Sequence, residues 1–115
     1  MHQQKQTNTI IMIYETILQQ LGGRRFQVMT GTKNFVYDSK EPNFLRMDLQ
    51  RNKSGANRLK ITLDANDTYT MHFYKGSLCK KTFDYKMTKQ QTFEGVYCDM
   101  LQDIFTKVTG MYTSL

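Results

Sequence analysis

Cys79 stands among Lys75, Lys80 and Lys81, a setting in which nearby positive charge favours the thiolate, the form of cysteine that attacks electrophiles. Nucleophilic catalysis would also require a base within hydrogen-bond reach. The chain has two histidines, His2 in a polar end and His72 in an alternating segment, and spacing pairs neither with Cys79 or Cys98. Asp64 and Asp67 flank Ala65-Asn66 as aspartates flank turns, and Asp-Ala-Asn-Asp lacks the remaining ligands of a calcium loop. Gly31-Thr32-Lys33 is a fragment of a phosphate loop, with no helix expected after it. The sequence therefore predicts no catalytic residue, no metal site and no cofactor. Two cysteines without CxxC spacing point to isolated thiols in a reducing compartment.

Cations and rings at strand spacing offer more. Of the 16 Lys and Arg residues, fourteen lie between Arg24 and Lys89, against six Asp and Glu there. That centre carries +8, the first 23 residues balance, and the last 26 carry −2. Such an asymmetry is an electrostatic footprint for a polyanion. Unpaired bases stack on exposed rings while Lys and Arg follow the phosphates. The expected phosphate contacts are Arg25, Arg46, Arg51, Lys53, Arg58 and Lys60, and the expected stacking surfaces are Phe44, His72 and Tyr74. No helix-turn-helix, zinc finger or RNP motif is visible, and neither expected helix is basic enough to read a major groove. Single strands are thus favoured over duplex.

The elements that must position these residues follow from periodicity. Ile10, Ile13, Tyr14, Ile17, Leu18 and Leu21 form an apolar stripe, with Thr7, Asn8 or Thr9 as cap and Gly22-Gly23 as stop, which predicts a first helix. From Arg24 to Thr30 the alternation of Phe26, Val28 and Thr30 predicts a strand. A short extended piece at Phe35–Tyr37 follows, then the sole proline, Pro42, as an interruption. Leu45, Met47 and Leu49 alternate against Phe44, Arg46 and Asp48; Leu59, Ile61 and Leu63 against Arg58, Lys60 and Thr62; Tyr69, Met71 and Phe73 against Thr70, His72 and Tyr74. Lys75-Gly76-Ser77 is expected to turn the chain into a last strand, Leu78–Met87. A closing helix is expected from Thr92, carrying Phe93, Val96, Tyr97, Met100, Leu101, Ile104, Phe105 and Val108 to a stop at Gly110, with the apolar tail Met111–Leu115 docked.

This order predicts an α+β fold: about five strands in an antiparallel meander, with an N-terminal and a C-terminal helix packed on one face. At 115 residues, a flexible end at 1–6 and one domain over 7–115 are expected. The longest apolar stretch, Ile10–Tyr14, is far short of the roughly 20 residues that span a bilayer, and no secretion signal is visible. A membrane is therefore not among the expected partners.

The blocks ILQQLGG, FQVMTGTKNFV, LKITLDANDTYTMHF and VYCDMLQDIFTKVTGMYTSL resemble a family of small, functionally uncharacterised proteins encoded by bacteriophages, prophages and integrative elements. That resemblance implies a mobile-element origin and action in the cytoplasm of a bacterial host, or in a virion. It implies no activity. The expected architecture is also similar in shape to small single-strand binders such as Whirly proteins. The function expected is non-specific binding of single-stranded nucleic acid on an exposed sheet face, by a homo-oligomer. The alternative is a protein-interaction module, a virion component or an inhibitor of a host defence nuclease, whose partner is a host or phage protein.

Overall fold

The computed structural model describes Ile13, residues 15–37 and residues 43–113. Residues 15–21 are helical (α1). After them come a second helix Gly23–Thr30 (α2), strands Lys33–Val36 (β1), Phe44–Asp48 (β2), Arg58–Leu63 (β3), Tyr69–Leu78 (β4) and Tyr85–Val96 (β5), a 3-10 turn Cys98–Met100 and a helix Leu101–Thr109 (α3). The strands form one antiparallel sheet in the order β1-β2-β3-β4-β5. The expected α+β meander is the fold observed.

Alternation explains the sheet's two sides. Met47 lies opposite Leu59 and Leu59 opposite Phe73, while Leu45, Ile61 and Met71 make the neighbouring row. These six side chains are fully buried, and the helical segments cover them with Ile17, Leu21, Phe26, Leu101 and Phe105. Phe105 meets Phe26 edge to face, with centroids 4.9 Å apart at 73°, a favoured aromatic geometry. Phe105 thereby joins α3 to α2 above the sheet.

Three features differ from the sequence expectation. Residues Arg24–Thr30 form helix rather than strand. Phe26 and Thr30 satisfy a four-residue period as well as a two-residue one, and both are buried, whereas Val28 is 75% exposed. Gly22 and Gly23, with φ of 125° and 63°, redirect the chain between two helices instead of ending helical structure, a geometry that glycine adopts at little cost. Second, Gly76 is not a turn. It sits in the ladder opposite Met87, so β4 runs on to Leu78 and β5 begins only at Tyr85.

Third, Phe93 and Val96 belong to β5, and the closing helix is shorter than its apolar stripe suggested. Between Met71↔Phe93 and Tyr69↔Val96 the register slips by one residue, and Gly95 has φ 64°, which makes a β-bulge. A second slip lies between Phe73 and Lys75, where Lys89 on the facing strand has φ 52°. The other edge strand, β1, is bulged at Asn34 (φ 57°). Both edges are thus irregular, which discourages edge-to-edge association. The tail docks in part: Met111 packs on the core, Thr113 Oγ1 donates to Gln102 Oε1 at 2.8 Å, and Tyr112 points outward. The expected cap at Thr7–Thr9, the flexible end 1–6, Ile10, Tyr14, Pro42 and Leu115 lie outside the described residues.

Two tyrosines tie the fold to pH. Burial raises the pKa of Tyr69 and of Tyr74 above the ordinary 10.0, the proximity of Cys98 and of Tyr85 adding to it respectively. A raised folded pKa means that the native state holds the proton more tightly than the unfolded chain. The resulting stability is complete below pH 10 and is lost as pH climbs through the folded values. Urea midpoints should therefore be flat from pH 8 to about 9.5 and fall above 10. The decline should be smaller in Tyr69→Phe, which has no phenolic proton to lose.

Candidate nucleic-acid interface

The sheet side away from the core carries its cations in register. Arg46 lies opposite Lys60, Lys60 opposite His72, and His72 opposite Thr92, so one row crosses four strands. In the next row Asp48 faces Arg58, and Arg58 faces Tyr74. Arg46, Lys60, Thr62, Thr70 and His72 are half-buried, the exposure of a sheet face with no further layer on it. Neighbouring strands lie about 4.8 Å apart, so the row presents side chains at intervals that an extended polyanion can follow.

Charge on this face is unevenly compensated. Arg58 Nη1 pairs with Asp48 Oδ1 at 2.8 Å, the one ion pair among the described residues. Lys60 instead places its ammonium 4.5 Å from the centre of the Phe44 ring, a cation–π contact. Like charges directly opposite on a sheet are destabilising, and Arg46 and Lys60 are such a pair. His72 Nε2 hydrogen-bonds Gln90 Oε1 at 3.0 Å, so with the amide oxygen as acceptor the proton is on Nε2. The His72 ring lies 4.8 Å from the Tyr74 ring at 36°.

The structure brings together Phe44, Arg46, Arg58, Lys60, His72 and Tyr74 but changes the part some can play. Tyr74 is only 5% exposed. The Tyr85 hydroxyl lies so close to Gly76 that a Cβ there would overlap it, and Tyr85, Arg46 and Arg58 all act electrostatically on Tyr74. It is a support for the face rather than a stacking platform. Arg25 is absent from the sheet altogether, because its segment is helical, and it is exposed on α2. Arg51 and Lys53 stand in the β2–β3 turn and line a separate cavity. Phe35 packs on the core.

Sequence periodicity missed the most prominent appendage. Beyond Tyr74, the last residue of β4 opposite β3, Lys75–Leu78 has Tyr85–Thr88 as its strand partner, with the Asn57 side chain bonding both backbone groups of Gly76. The result is a two-stranded arm with four lysines (Lys75, Lys80, Lys81, Lys86) against Asp84, and Lys89 stands at its root. Leu78, Phe83, Tyr85 and Met87 are exposed on it, Phe83 at 77%. The signal available was Tyr85-Lys-Met-Thr-Lys, an alternating run after a lysine-rich turn, which belongs with the residues that follow it rather than those before.

Cys79 opens the arm's turn, where the Phe83 amide donates to its carbonyl at 2.6 Å and its own amide donates to Asp84 O at 2.8 Å. Its thiol pKa is lowered, chiefly by the Thr82 side chain and then by the Thr82 and Lys81 backbone. Hydrogen bonds to the thiolate, rather than the lysine charges expected, cause the shift. Alkylation by iodoacetamide should therefore reach half its maximal rate at a lower pH than for free cysteine, and Thr82→Val should move that midpoint upward. An unchanged midpoint in Thr82→Val would refute this origin.

Among the described residues no group of three His, Cys, Asp or Glu side chains could hold a metal ion, and no helix is long and apolar enough to cross a membrane. Comparison of the chain with protein-family models, with curated proteins and with solved structures found no match.

Proposed function

We propose that the chain binds single-stranded nucleic acid non-specifically along the open sheet face, and that it does so in the bacterial host of a phage or mobile element. The observation that carries this reading is the Arg46–Lys60 opposition. The free protein holds two like charges across a strand pair, an arrangement that destabilises a sheet unless an anion relieves it. Phosphates along a strand are such an anion, and release of their counterions makes binding salt-dependent. Phe44 and His72 offer ring surfaces beside the cations, and the arm extends the positive surface beyond the sheet. A homo-oligomer would join two such faces into a longer track.

The test is a fluorescence titration with short labelled oligonucleotides over a series of salt concentrations. Affinity should fall linearly on a double-logarithmic plot, with single strands held more tightly than duplex of the same length. Absence of binding at low salt removes the reading. A second reading has its own support in the exposed apolar side chains of the arm, since Leu78, Phe83, Tyr85 and Met87 would suit a protein partner. Capture from host lysate after nuclease digestion separates the two. A partner that survives digestion and is lost with Phe83→Ser supports the protein-interaction module.

A further inference from the structure

We infer that the cavity at the root of the β4–β5 arm binds a nucleotide carrying two or more phosphates. This inference rests on the preceding reading only in taking phosphate as the recognised chemistry, and it concerns a different site. The cavity, about 420 Å³, is lined by residues of the β2–β3 turn together with Lys75 and Lys89. Four of its lining side chains are cations (Arg51, Lys53, Lys75, Lys89) and none is acidic. Lys53 on its wall bonds Thr109 O through its amide and its side chain lies by Gly110 at the end of α3, so the cavity adjoins the helix side of the sheet rather than the Arg46–Lys60 row.

The site is built rather than fortuitous. Asn52 Nδ2 donates to Gln50 O at 2.7 Å and to Ala56 O at 2.9 Å, while its Oδ1 accepts from the Ser54 amide at 3.1 Å. Ser54 Oγ in turn accepts from the Ala56 amide at 3.1 Å, and the Lys53 amide donates to Thr109 O at the end of α3, 3.3 Å away. The turn is therefore fixed at both ends before any ligand arrives. Across it, the β5 bulge at Lys89 folds that side chain over Gly55. A Cβ on Gly55 would lie only 2.7 Å from Lys89 Nζ, so the absence of a side chain there leaves room for Lys89 along the cavity wall. Cations gathered round one cavity repel one another even where solvent reaches them, and a multivalent anion is the ligand that most lowers that energy.

The organic half of the ligand follows from a second cavity of about 550 Å³ that shares Lys53. Its walls include Phe93, Ile104 and Val108, with Lys107. A flat apolar group on a phosphate chain fits this pair of cavities, with the base against Phe93 and the phosphates beyond Lys53. Such a group occurs in a free nucleoside polyphosphate and at the phosphorylated end of a strand.

Calorimetric titration of the full chain at low ionic strength tests the assignment, with inorganic tripolyphosphate, a purine nucleoside triphosphate and the unphosphorylated nucleoside as probes. The triphosphate should bind, and more tightly than tripolyphosphate by about tenfold or more from the apolar contact. The nucleoside should bind weakly. Lys75→Gln with Lys89→Gln, both on exposed strand positions, should weaken the two phosphorylated probes at least about tenfold. Lys60→Glu, on the other sheet side, should leave them unchanged even if oligonucleotide binding is lost, which separates this site from the open face. Oligonucleotides with 5′-triphosphate and 5′-hydroxyl ends, compared in Lys60→Glu, identify the source: preference for the phosphorylated end marks a strand terminus, and no preference marks a free nucleotide. Failure of both phosphorylated probes to bind at about millimolar concentration, or binding unaffected by the lysine pair, overturns the assignment. Equal affinity for tripolyphosphate and triphosphate overturns its apolar half.

Discussion

Phe105→Ala should destabilise the chain by about 3–5 kcal/mol, the range for emptying a fully buried aromatic site. Phe105 has no exposed surface, and its ring is flanked by Phe26 at 4.9 Å and Phe73 at 6.3 Å. The cavity would thus open between both helices and the sheet, where neither a strand nor a helix can collapse without disturbing the other. Domains of this size are stable by about 5–15 kcal/mol, so the loss is a large fraction of the whole. A melting temperature lower by on the order of 15 °C or more is expected. Val28→Ala supplies the contrast. Val28 projects from α2 into solvent, and its truncation should change stability by less than about 0.5 kcal/mol. Were that segment the strand its alternation suggests, Val28 would share a face with Phe26 and its loss would be felt. A Phe105→Ala variant within about 1 kcal/mol of the parent would refute the packing of α3.

The contrast at Val28 also shows what was legible in the sequence. Wherever period-two alternation ran through residues with no competing period, in β2, β3 and the first half of β4, facing and register follow directly, and so does the placement of Arg46, Lys60 and His72 on one side. Where two periods fit the same residues, local pattern could not decide. Phe26 and Thr30 satisfy both, and the choice fell to tertiary burial of Phe26 against Phe105. Phe93 and Val96 extend the apolar stripe of α3 by spacing alone, yet both pair with β4, with a bulge at Gly95 (φ 64°) between them, and helix begins only after Tyr97. The burial of Tyr74 had no local signal, because its place in the alternation puts it opposite the core-facing Phe73, yet both are buried. Likewise Lys89 enters its cavity by a bulge that single-residue patterning does not encode.

Lys60→Glu should lower affinity for a short single strand about a hundredfold at low salt while leaving the fold at least as stable as the parent. The substitution loses the Lys60–Phe44 cation–π contact, worth about 0.5–1 kcal/mol at an exposed site. It sets a carboxylate opposite Arg46 in the register already present, and an exposed ion pair returns a similar amount. Relief of the Arg46–Lys60 repulsion adds to that return, so stability by urea denaturation should equal or slightly exceed that of the parent. Binding has no such compensation. One phosphate contact disappears, a second is occupied by the new pair with Arg46, and the strand meets a like charge between them. Each phosphate contact with a single strand contributes about 0.7 to the salt slope, so the slope should flatten by about 1.4. Arg25→Glu, which alters net charge identically from a position on α2, should flatten it little. Equal losses from the two variants would mean that the oligonucleotide responds to total charge alone, and the Arg46–Lys60–His72 row would then have no claim as the binding track.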